Sequence, residues 1–192
     1  MFFSYDRQQL SWNCCRMAIL TLLLCCLGGV SQAQYTHSLT NTMSSPQAGG
    51  AVLAVAALDD NVFILSEEGG LWALRQSPAG FVTNAYRQFP DQPRVLKVGA
   101  DGRIYLGSEA GSLSVWTLGG AVFQEIARIQ CPHPVYDLTV SDDGTIFVAA
   151  GFEGLAAYRI DGATVMETGR ANEGGDIRAV AVGRDGLVYG AS

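Results

Sequence analysis

Residues 135–162 read VYDLTVSDDGTIFVAAGFEGLAAYRIDG and contain the pattern from which the fold is predicted. An alternating apolar run leads into Asp143-Gly144, a second apolar run follows at 146–149, and Gly154 precedes a third. Alternation with a period of two is typical of β-strands. An Asp-Gly pair between two such runs is typical of a hairpin whose central residues both have φ > 0. The stretch therefore predicts successive antiparallel strands.

The same pattern recurs along residues 51–192 with a period of about 42 residues. The strand before each turn places an aliphatic residue at the same position, so these side chains are expected to be buried alike. They are Val55, Leu96, Leu138 and Val180. The corresponding turns are expected at Asp60-Asn61, Asp101-Gly102, Asp143-Gly144 and Asp185-Gly186, with spacings of 41, 42 and 42 residues.

Each full unit carries two more strands, one preceded by a glycine and one ending in a polar segment. The glycines are Gly70, Gly111 and Gly154, and the last strands start near Phe81, Val122 and Thr164. Four short antiparallel strands at a fixed spacing are typical of a β-propeller blade. A β-sandwich, the alternative, would not repeat the same turn at one period. The predicted fold class is therefore all-β, a β-propeller of four-stranded antiparallel blades.

The predicted blades cover residues 51–90, 91–132, 133–175 and, incompletely, 176–192. Propellers close with roughly four to eight blades, whereas about 3.5 blades are present here. We therefore expect an incomplete ring, an N-terminal fragment of a longer protein, with open blade faces that favour self-association. Residues 34–50 are expected to be a linker, or to hold a strand, from Tyr35, that closes the ring.

Residues 1–33 have the order of a secretory signal peptide. Arg7 and Arg16 precede the uncharged run MAILTLLLCCLGGV at 17–30, and Ser31 and Ala33 are small residues of the kind that flank a cleavage site. The run is shorter than the ~20 residues that span a bilayer, which disfavours a transmembrane anchor. A lipoprotein acceptor at Cys25 or Cys26 is disfavoured because no small residue precedes either. The mature chain is expected to be secreted, periplasmic or on the cell surface, without a stable membrane span.

Removal of this segment changes the charge and the cysteine count. It takes Asp6, Arg7 and Arg16 from the 18 acidic and 12 basic residues and leaves a net charge of −7. It leaves Cys131 as the one cysteine of five, which excludes an intramolecular disulfide scaffold. With a single lysine, Lys97, and no cluster of cations, the chain is not expected to bind nucleic acid.

The unit quoted at the outset resembles the secreted LVIVD-type propeller repeat, through Ile146-Phe147-Val148-Ala149 and Gly154-Leu155. It is also similar to the sensor propellers of two-component regulators, although Phe63, Tyr105, Phe147 and Tyr189 stand where that pattern has Trp. More broadly it resembles WD40-like and quinoprotein-like propellers, but no unit ends in Trp-Asp. The resemblance covers residues 51–192 and implies a fold rather than an activity.

Two patterns could carry chemistry. In Cys131-Pro132-His133-Pro134 an extended backbone could bring the thiol and the imidazole together as a reactive pair or as metal ligands. The alternative is an inter-blade loop with one buried cysteine, and zinc would need further ligands. The turn aspartates could suggest calcium, but each turn has too few carboxylates for six to eight oxygen ligands, so a turn-forming role is favoured. No catalytic, cofactor or metal residue is assigned, and no cofactor is expected.

Two sets of charged residues recur along the units. Arg87, Arg128 and Arg170 lie on the last strands, and Glu68, Glu109 and Glu153 precede the third strands. Such charges protect an edge or form inter-blade salt bridges, or else they form a binding rim. Because loops at one end of the blades share a face, the predicted binding face consists of Glu68, Arg94, Glu109, His133, Tyr136, Glu153 and Arg178.

Two classes of function follow. The first is an exported, noncatalytic propeller that binds a protein or a small ligand across that face, and is not an enzyme. The second is a periplasmic sensor propeller, or a catalytic propeller, of a longer polypeptide whose effector or active residues lie beyond Ser192. The scarcity of histidine and of clustered carboxylates favours the first class.

Overall fold

The computed structural model describes residues 51–77, 80–172 and 175–192 in full, and the backbone of residues 3–4 and 40–41. The chain divides into two compact units, Met1–Ser45 and Pro46–Ser192. In the first unit, β1 (Phe3–Ser4) pairs antiparallel with β2 (Thr40–Asn41). The predicted cleavage site after Ala33, the apolar run before it and the strand expected from Tyr35 lie outside the described residues.

The second unit consists of antiparallel meanders in which consecutive strands pair. We call them repeats 1 to 4. Repeat 1 has β3 (Val52–Leu58), β4 (Asn61–Ser66), β5 (Gly70–Ser77) and β6 (Gly80–Gln88). Repeat 2 has β7 (Val95–Val98), β8 (Ile104–Gly107), β9 (Ser112–Gly119) and β10 (Val122–Gln130). Repeat 3 has β11 (Asp137–Val140), β12 (Ile146–Ala149), β13 (Leu155–Asp161) and β14 (Thr164–Ala171), and repeat 4 is the hairpin β15 (Ala179–Val182) and β16 (Val188–Ala191).

Repeats 2 and 3 join into one eight-stranded sheet. Their last strands, β10 and β14, pair in parallel at Arg128 and Thr164, so the strand order is β11-β12-β13-β14-β10-β9-β8-β7. The edge strands β11 and β7 also lie against each other, which makes this sheet barrel-like and nearly closed. The described residues form strands, turns and loops but no helix, so the all-β prediction is confirmed.

The first strands of successive repeats are neighbours: β3 lies against β7, β7 against β11, and β11 against β15. Asp137 of β11 contacts the repeats on both sides, because Oδ1 lies 3.4 Å from Lys97 Nζ and Oδ2 accepts a hydrogen bond of 3.0 Å from the Val180 N–H. The repeats are therefore packed in chain order.

Two apolar cores lie between the repeats. The first joins Phe63, Leu65, Leu71 and Ala73 of repeat 1 to Leu96, Ile104, Leu106 and Trp116 of repeat 2. The second joins Val95, Tyr105, Leu113 and Val115 of repeat 2 to Leu138, Ile146, Val148 and Tyr158 of repeat 3. Because side chains alternate along a strand, repeat 2 contributes one face to each core.

The first turns of repeats 2, 3 and 4 have one common geometry. The carboxylates of Asp101, Asp143 and Asp185 each accept the backbone N–H two residues ahead at 3.1 Å. The glycine after each aspartate has a φ near +80°. The predicted hairpins are thus present, but the expectation of two positive-φ residues is wrong, since the aspartates do not share that conformation. A side-chain acceptor and a single left-handed glycine suffice for this turn.

The first turn of repeat 1 differs from its prediction. Leu58 pairs with Asn61, so the two turn residues are Asp59 and Asp60 rather than Asp60 and Asn61. Asp59 adopts φ +51°. Aspartate tolerates the left-handed region better than most residues because its short side chain bonds locally.

The prediction of equal burial is wrong at one position of the four. Leu96, Leu138 and Val180 are 4%, 0% and 6% exposed, whereas Val55 is 49% exposed. Each of the three buried residues faces the preceding repeat, and Val55 has the same register in repeat 1. Among the described residues no sheet covers that face of repeat 1.

Candidate binding edge

The loops between the second and third strands of repeats 1 to 3 lie along one edge of the packed sheets, which we call the loop edge. The segments that link one repeat to the next run along the same edge. The Val135 N–H, for example, bonds to the Ser108 carbonyl, and Gly151 exchanges two backbone bonds with Ile177. The first turns lie at the opposite edge, which we call the hairpin edge, because antiparallel strands reverse at each connection.

A left-handed glycine fixes each of the three loops. Gly69, Gly111 and Gly154 have φ of +80°, +89° and +82°. A Cβ atom at these positions would lie 2.7, 2.6 or 2.2 Å from the carbonyl oxygen of Phe89, Cys131 or Ala171. Only glycine meets both the backbone conformation and this close approach. The loops of repeats 1 and 2 therefore share one backbone, in which the Gly69 and Gly111 N–H groups bond to the carbonyls of Ser66 and Ser108. In repeat 3 the strand register places Gly154 one residue later, and Gly151 is a second left-handed glycine with φ +65°.

A row of side-chain amides supports the same loops. Gln88, Gln130 and Asn172, spaced by 42 residues, each donate from their amide nitrogen to a loop carbonyl, of Glu68, Ala110 and Phe152 respectively. The second and third of these bonds measure 2.5 and 3.0 Å. This row was not predicted from the sequence, although three amides recur at the repeat period at the ends of the last strands.

The predicted glutamates are exposed on these loops, but they do not occupy one register position. The loop carbonyls that accept the amide bonds mark equivalent positions, those of residues 68, 110 and 152. Glu68 lies at this position, Glu109 one residue before it and Glu153 one residue after it. The prediction of a single in-register series is wrong in this respect.

Cations lie beside two of the glutamates. Arg94 Nε is 3.6 Å from Glu109 Oε1, and Arg170 Nη1 is 3.0 Å from Glu153 Oε2. Arg170 also pairs with Glu167 at 3.0 Å, which lowers the pKa of that carboxyl. These pairs are open to solvent on at least one side, so each contributes little to stability. They do leave the edge with alternating positive and negative groups.

At the far end of the edge, two predicted residues form a stacked pair. The Arg178 guanidinium lies 3.8 Å from the centroid of the Tyr136 ring. Its Nη2 also lies 2.7 Å from Asp176 Oδ2, and this bond is the main reason that the Arg178 pKa is raised. An aromatic face, a guanidinium and a carboxylate thus lie together beside Gly151, where a Cβ atom would be 2.7 Å from the Tyr136 ring.

His133 does not belong to this surface, which corrects the prediction. The residue is 3% exposed, and its Nε2 lies 2.7 Å from the Tyr158 hydroxyl. Its Nδ1 lies 3.0 Å from the Pro134 carbonyl oxygen. A carbonyl oxygen only accepts hydrogen bonds, so Nδ1 donates to Pro134, while Nε2 and the Tyr158 hydroxyl form the second bond of the ring. The imidazole is a core group held by protein partners.

Cys131 belongs to the same buried cluster. It is 4% exposed, and burial raises its thiol pKa while a hydrogen bond with Tyr158 acts in the opposite direction. Burial also raises the pKa of Tyr158, whose hydroxyl lies 3.2 Å from Glu167 Oε2. A protonated, enclosed thiol is a poor nucleophile. Across the described ranges, no three His, Cys, Asp or Glu side chains converge as a metal site would require.

The predicted arginine series divides into two kinds of contact. Arg128 and Arg170 each pair with a glutamate three residues earlier, Glu125 or Glu167, at 3.0 Å. Arg87 instead places its guanidinium 4.4 Å from the Trp116 ring of repeat 2. The guanidinium of Arg87 thus packs on the next repeat through an aromatic ring rather than through the inter-blade salt bridge expected for this series.

Two hollows lie at the hairpin edge. The larger, of about 510 Å³, lies between repeats 3 and 4 and includes Ser141, Asp143, Phe147, Val182 and Arg184 in its lining. The smaller, of about 210 Å³, lies between repeats 1 and 2 beside Asp59, Arg75 and Asn84. Neither hollow was predicted from the sequence.

Comparison of the chain with protein-family models and with curated proteins gives no match. The resemblance to LVIVD-type and WD40-like repeats thus rests on the quoted residues alone. Within the described residues, no helix has the length and apolarity that a membrane crossing requires.

Proposed function

We propose that the chain is an exported, noncatalytic scaffold of the β-propeller class that binds a protein or small ligand at its loop edge. The propeller assignment is supported by four-stranded meanders whose first strands are neighbours in chain order. Neighbouring first strands are typical of blades arranged around an axis.

The observation that carries the binding role is the row of amide bonds that holds the three loops at equivalent carbonyls, those of residues 68, 110 and 152. The exposed residues beside these carbonyls differ: Glu67-Glu68, Glu109-Ala110 and Phe152-Glu153. Loops that are held at equivalent points and present different exposed side chains are typical of a recognition surface on a rigid scaffold. With Arg94, Tyr136 and Arg178 on the same edge, the surface fits a partner with both charged and aromatic groups.

The noncatalytic character is supported by the placement of the reactive groups. The thiol of Cys131 and the imidazole of His133 are enclosed between repeats 2 and 3 and bonded to Tyr158. A nucleophile and its base must reach a substrate, and these two groups do not face the loop edge. Export rests on the order of charged, apolar and small residues in the first 33 positions.

Charge reversal at the two edges tests this proposal. Glu68→Lys, Glu109→Lys and Glu153→Lys together alter the loop edge. Asp60→Lys, Asp142→Lys and Asp161→Lys change the net charge equally at the hairpin edge and serve as the matched control. All six side chains are exposed, so both variants should unfold at a temperature close to that of the unaltered chain.

The three proteins are used to capture ligands from an extract of the compartment to which the chain is exported, with identification by mass spectrometry. The loop-edge variant should lose the molecules that both the unaltered chain and the control retain. Loss of ligand binding in the control alone would indicate that the binding site lies at the hairpin edge, where the two hollows are. Equal retention by all three would contradict a binding role for the glutamates.

A further inference from the structure

The contacts around the buried His133 ring require three protons. Nδ1 donates to the Pro134 carbonyl, Nε2 lies 2.7 Å from the Tyr158 hydroxyl, and that hydroxyl donates to Glu167 Oε2 at 3.2 Å. A neutral imidazole and a tyrosine hydroxyl together supply two protons, and the carbonyl takes one of them. A third proton is therefore needed if the Nε2 contact and the carboxylate contact are both to be hydrogen bonds.

The charges beside Glu167 indicate where the third proton lies. Glu167 and Glu153 both pair with Arg170 at 3.0 Å, so two carboxylates share one guanidinium. The bond with Arg170 is the main reason that the pKa of Glu167 is lowered, and the Tyr158 hydroxyl and the charge of the imidazole act in the same direction. The proton therefore belongs on Nε2 of His133 rather than on the carboxyl. The resulting imidazolium neutralises the remaining negative charge, and a buried charge is tolerated when it is paired and hydrogen-bonded.

Cys131 also contacts the Tyr158 hydroxyl. Burial raises the pKa of its thiol, so the thiol stays protonated and adds no charge. The groups that face the imidazole are thus Tyr158 of β13, Glu167 of β14 and this thiol of its own segment, with Arg170 beyond Glu167. Of these groups, the imidazole is the one that ordinarily changes its charge between pH 5 and 8.

The segment that joins repeats 1 and 2 carries a fixed charge at the corresponding position. Asp91 stands 42 residues before His133, and its Oδ2 lies 2.8 Å from Arg128 Nη1. Arg128 also pairs with Glu125 at 3.0 Å, which repeats the arginine–glutamate pair of repeat 3. Burial opposes the charge of Asp91, but bonds from Ser112 and Arg128 outweigh burial, so its pKa is lowered. This carboxylate therefore stays charged between pH 5 and 8.

We propose that His133, Tyr158 and Glu167 form a pH-dependent link between repeat 3 and the segment that joins it to repeat 2. In the closed link, Nε2–H donates to the hydroxyl and the hydroxyl donates to the carboxylate. When Nε2 loses its proton to solvent, the hydroxyl donates to Nε2 instead and the carboxylate keeps its bonds from Arg170 alone. The joining segment is therefore held more firmly at acidic pH. The whole link lies within residues 80–172, which the structure describes without a gap.

The link makes stability depend on pH with a definite sign. The third proton is bound through contacts that the folded chain makes and the unfolded chain lacks. Its contribution is present at low pH and is lost as the pH rises through the titration of the imidazole. One such proton changes the unfolding constant by up to about tenfold per pH unit, so urea unfolding should give a constant that rises by about threefold or more between pH 5 and 8.

Two isosteric substitutions separate the link from an ordinary ion pair. Glu167→Gln removes the charge that the imidazolium faces, so most of the pH dependence should disappear. Glu125→Gln is the matched control, because it breaks the same kind of arginine pair in a repeat whose joining segment carries Asp91 instead of a histidine. Both glutamates are exposed, so both variants should fold. All proteins in the comparison carry His37→Gln, which leaves His133 as the one histidine.

Nitrogen-15 NMR of the imidazole provides a second readout that does not depend on the stability of a variant. In the histidine-37 background and in the Glu125→Gln control, both nitrogens of His133 should carry a proton at pH 5. As the pH rises, Nε2 should lose its proton while Nδ1 keeps the bond to Pro134. In Glu167→Gln, Nε2 should lose its proton at a lower pH, because the facing carboxylate charge is absent.

Three results would overturn the proposal. The first is an Nε2 atom that carries no proton at pH 5 in the folded chain. The second is a Glu167→Gln protein whose stability follows the same pH profile as its parent. The third is a Glu125→Gln protein that loses the pH dependence to the same extent, since the effect would then come from any exposed arginine–glutamate pair.

Discussion

The Nε2 atom of His133 lies 2.7 Å from the hydroxyl oxygen of Tyr158, in the core between repeats 2 and 3. The two residues are 25 positions apart, and the imidazole is held on its other side by the Pro134 carbonyl. The pair connects the third strand of repeat 3 with the segment that joins repeats 2 and 3. A polar contact of this kind fixes how the connecting segment enters the core.

Tyr158→Phe should destabilise the fold by about 1–3 kcal/mol, because it leaves a buried imidazole nitrogen without its partner. The free energy of unfolding in urea measures this loss. Tyr189→Phe, at an exposed tyrosine that bonds to Asp185, is the matched control and should change stability by less than about 0.5 kcal/mol. Nitrogen-15 NMR should find a proton on Nδ1 of His133, the nitrogen that faces the Pro134 carbonyl. Equal stability of both variants, or an Nδ1 without a proton, would contradict the assigned contacts.

Gly111→Ala should destabilise the chain by more than about 3 kcal/mol, since left-handed strain and a clash with the Cys131 carbonyl occur together. Gly120→Ala isolates the first effect, because Gly120 has φ +66° but open space around its Cα. That variant should lose only about 1–2 kcal/mol. Thermal or urea unfolding of the two proteins gives the comparison. If both variants lose the same amount, the loop glycine is not packed against the connecting segment.

The Asp143 carboxyl has its pKa lowered to about 2, first by the Ser141 hydroxyl at 2.5 Å and then by bonds from Thr145. A group whose pKa is lowered on folding stabilises the fold above its unfolded value of 3.8, and this contribution is lost as the pH falls from there towards about 2. Carbon-detected NMR should find the low pKa. Asp143→Asn should flatten the stability profile in this pH range, whereas Asp142→Asn, at the neighbouring position, should keep the profile of the unaltered chain.

Much of the fold could be predicted from the sequence, because its signals are local. Aspartate and glycine at a fixed spacing gave the turns of repeats 2 to 4, and alternation gave the strands around them. The first turn of repeat 1 lies one residue earlier than predicted, since Asp59 can adopt positive φ and no glycine follows Asp60. Val55 has the residue type of a core position, but burial also requires a neighbouring sheet, which a strand pattern does not encode.

The candidate site was less predictable, because it depends on contacts between distant residues. The burial of His133 results from a tyrosine 25 residues later, and spacing within Cys131-Pro132-His133-Pro134 gives no indication of it. The row of amides was not predicted, because the spacing of the amides differs from the spacing of the arginines. Gln88 follows Arg87 directly, whereas Gln130 and Asn172 stand two residues after Arg128 and Arg170.

Cleavage after Ala33 should leave a mature chain that begins with Gln34 or its cyclised form. Terminal sequencing and intact mass of the exported protein provide the measurement. Replacement of Ala33 by a bulky residue should block cleavage, because the peptidase reads small side chains at this position. A cytoplasmic protein that retains Met1 would contradict the predicted export.

Hydrogen exchange of the chain with and without a captured ligand locates the proposed recognition surface. We expect slower exchange in the loops at 66–70, 108–112 and 150–154, with the turns at 99–102 and 141–144 unchanged. Protection confined to those turns, or spread evenly over both edges, would contradict recognition at the loop edge.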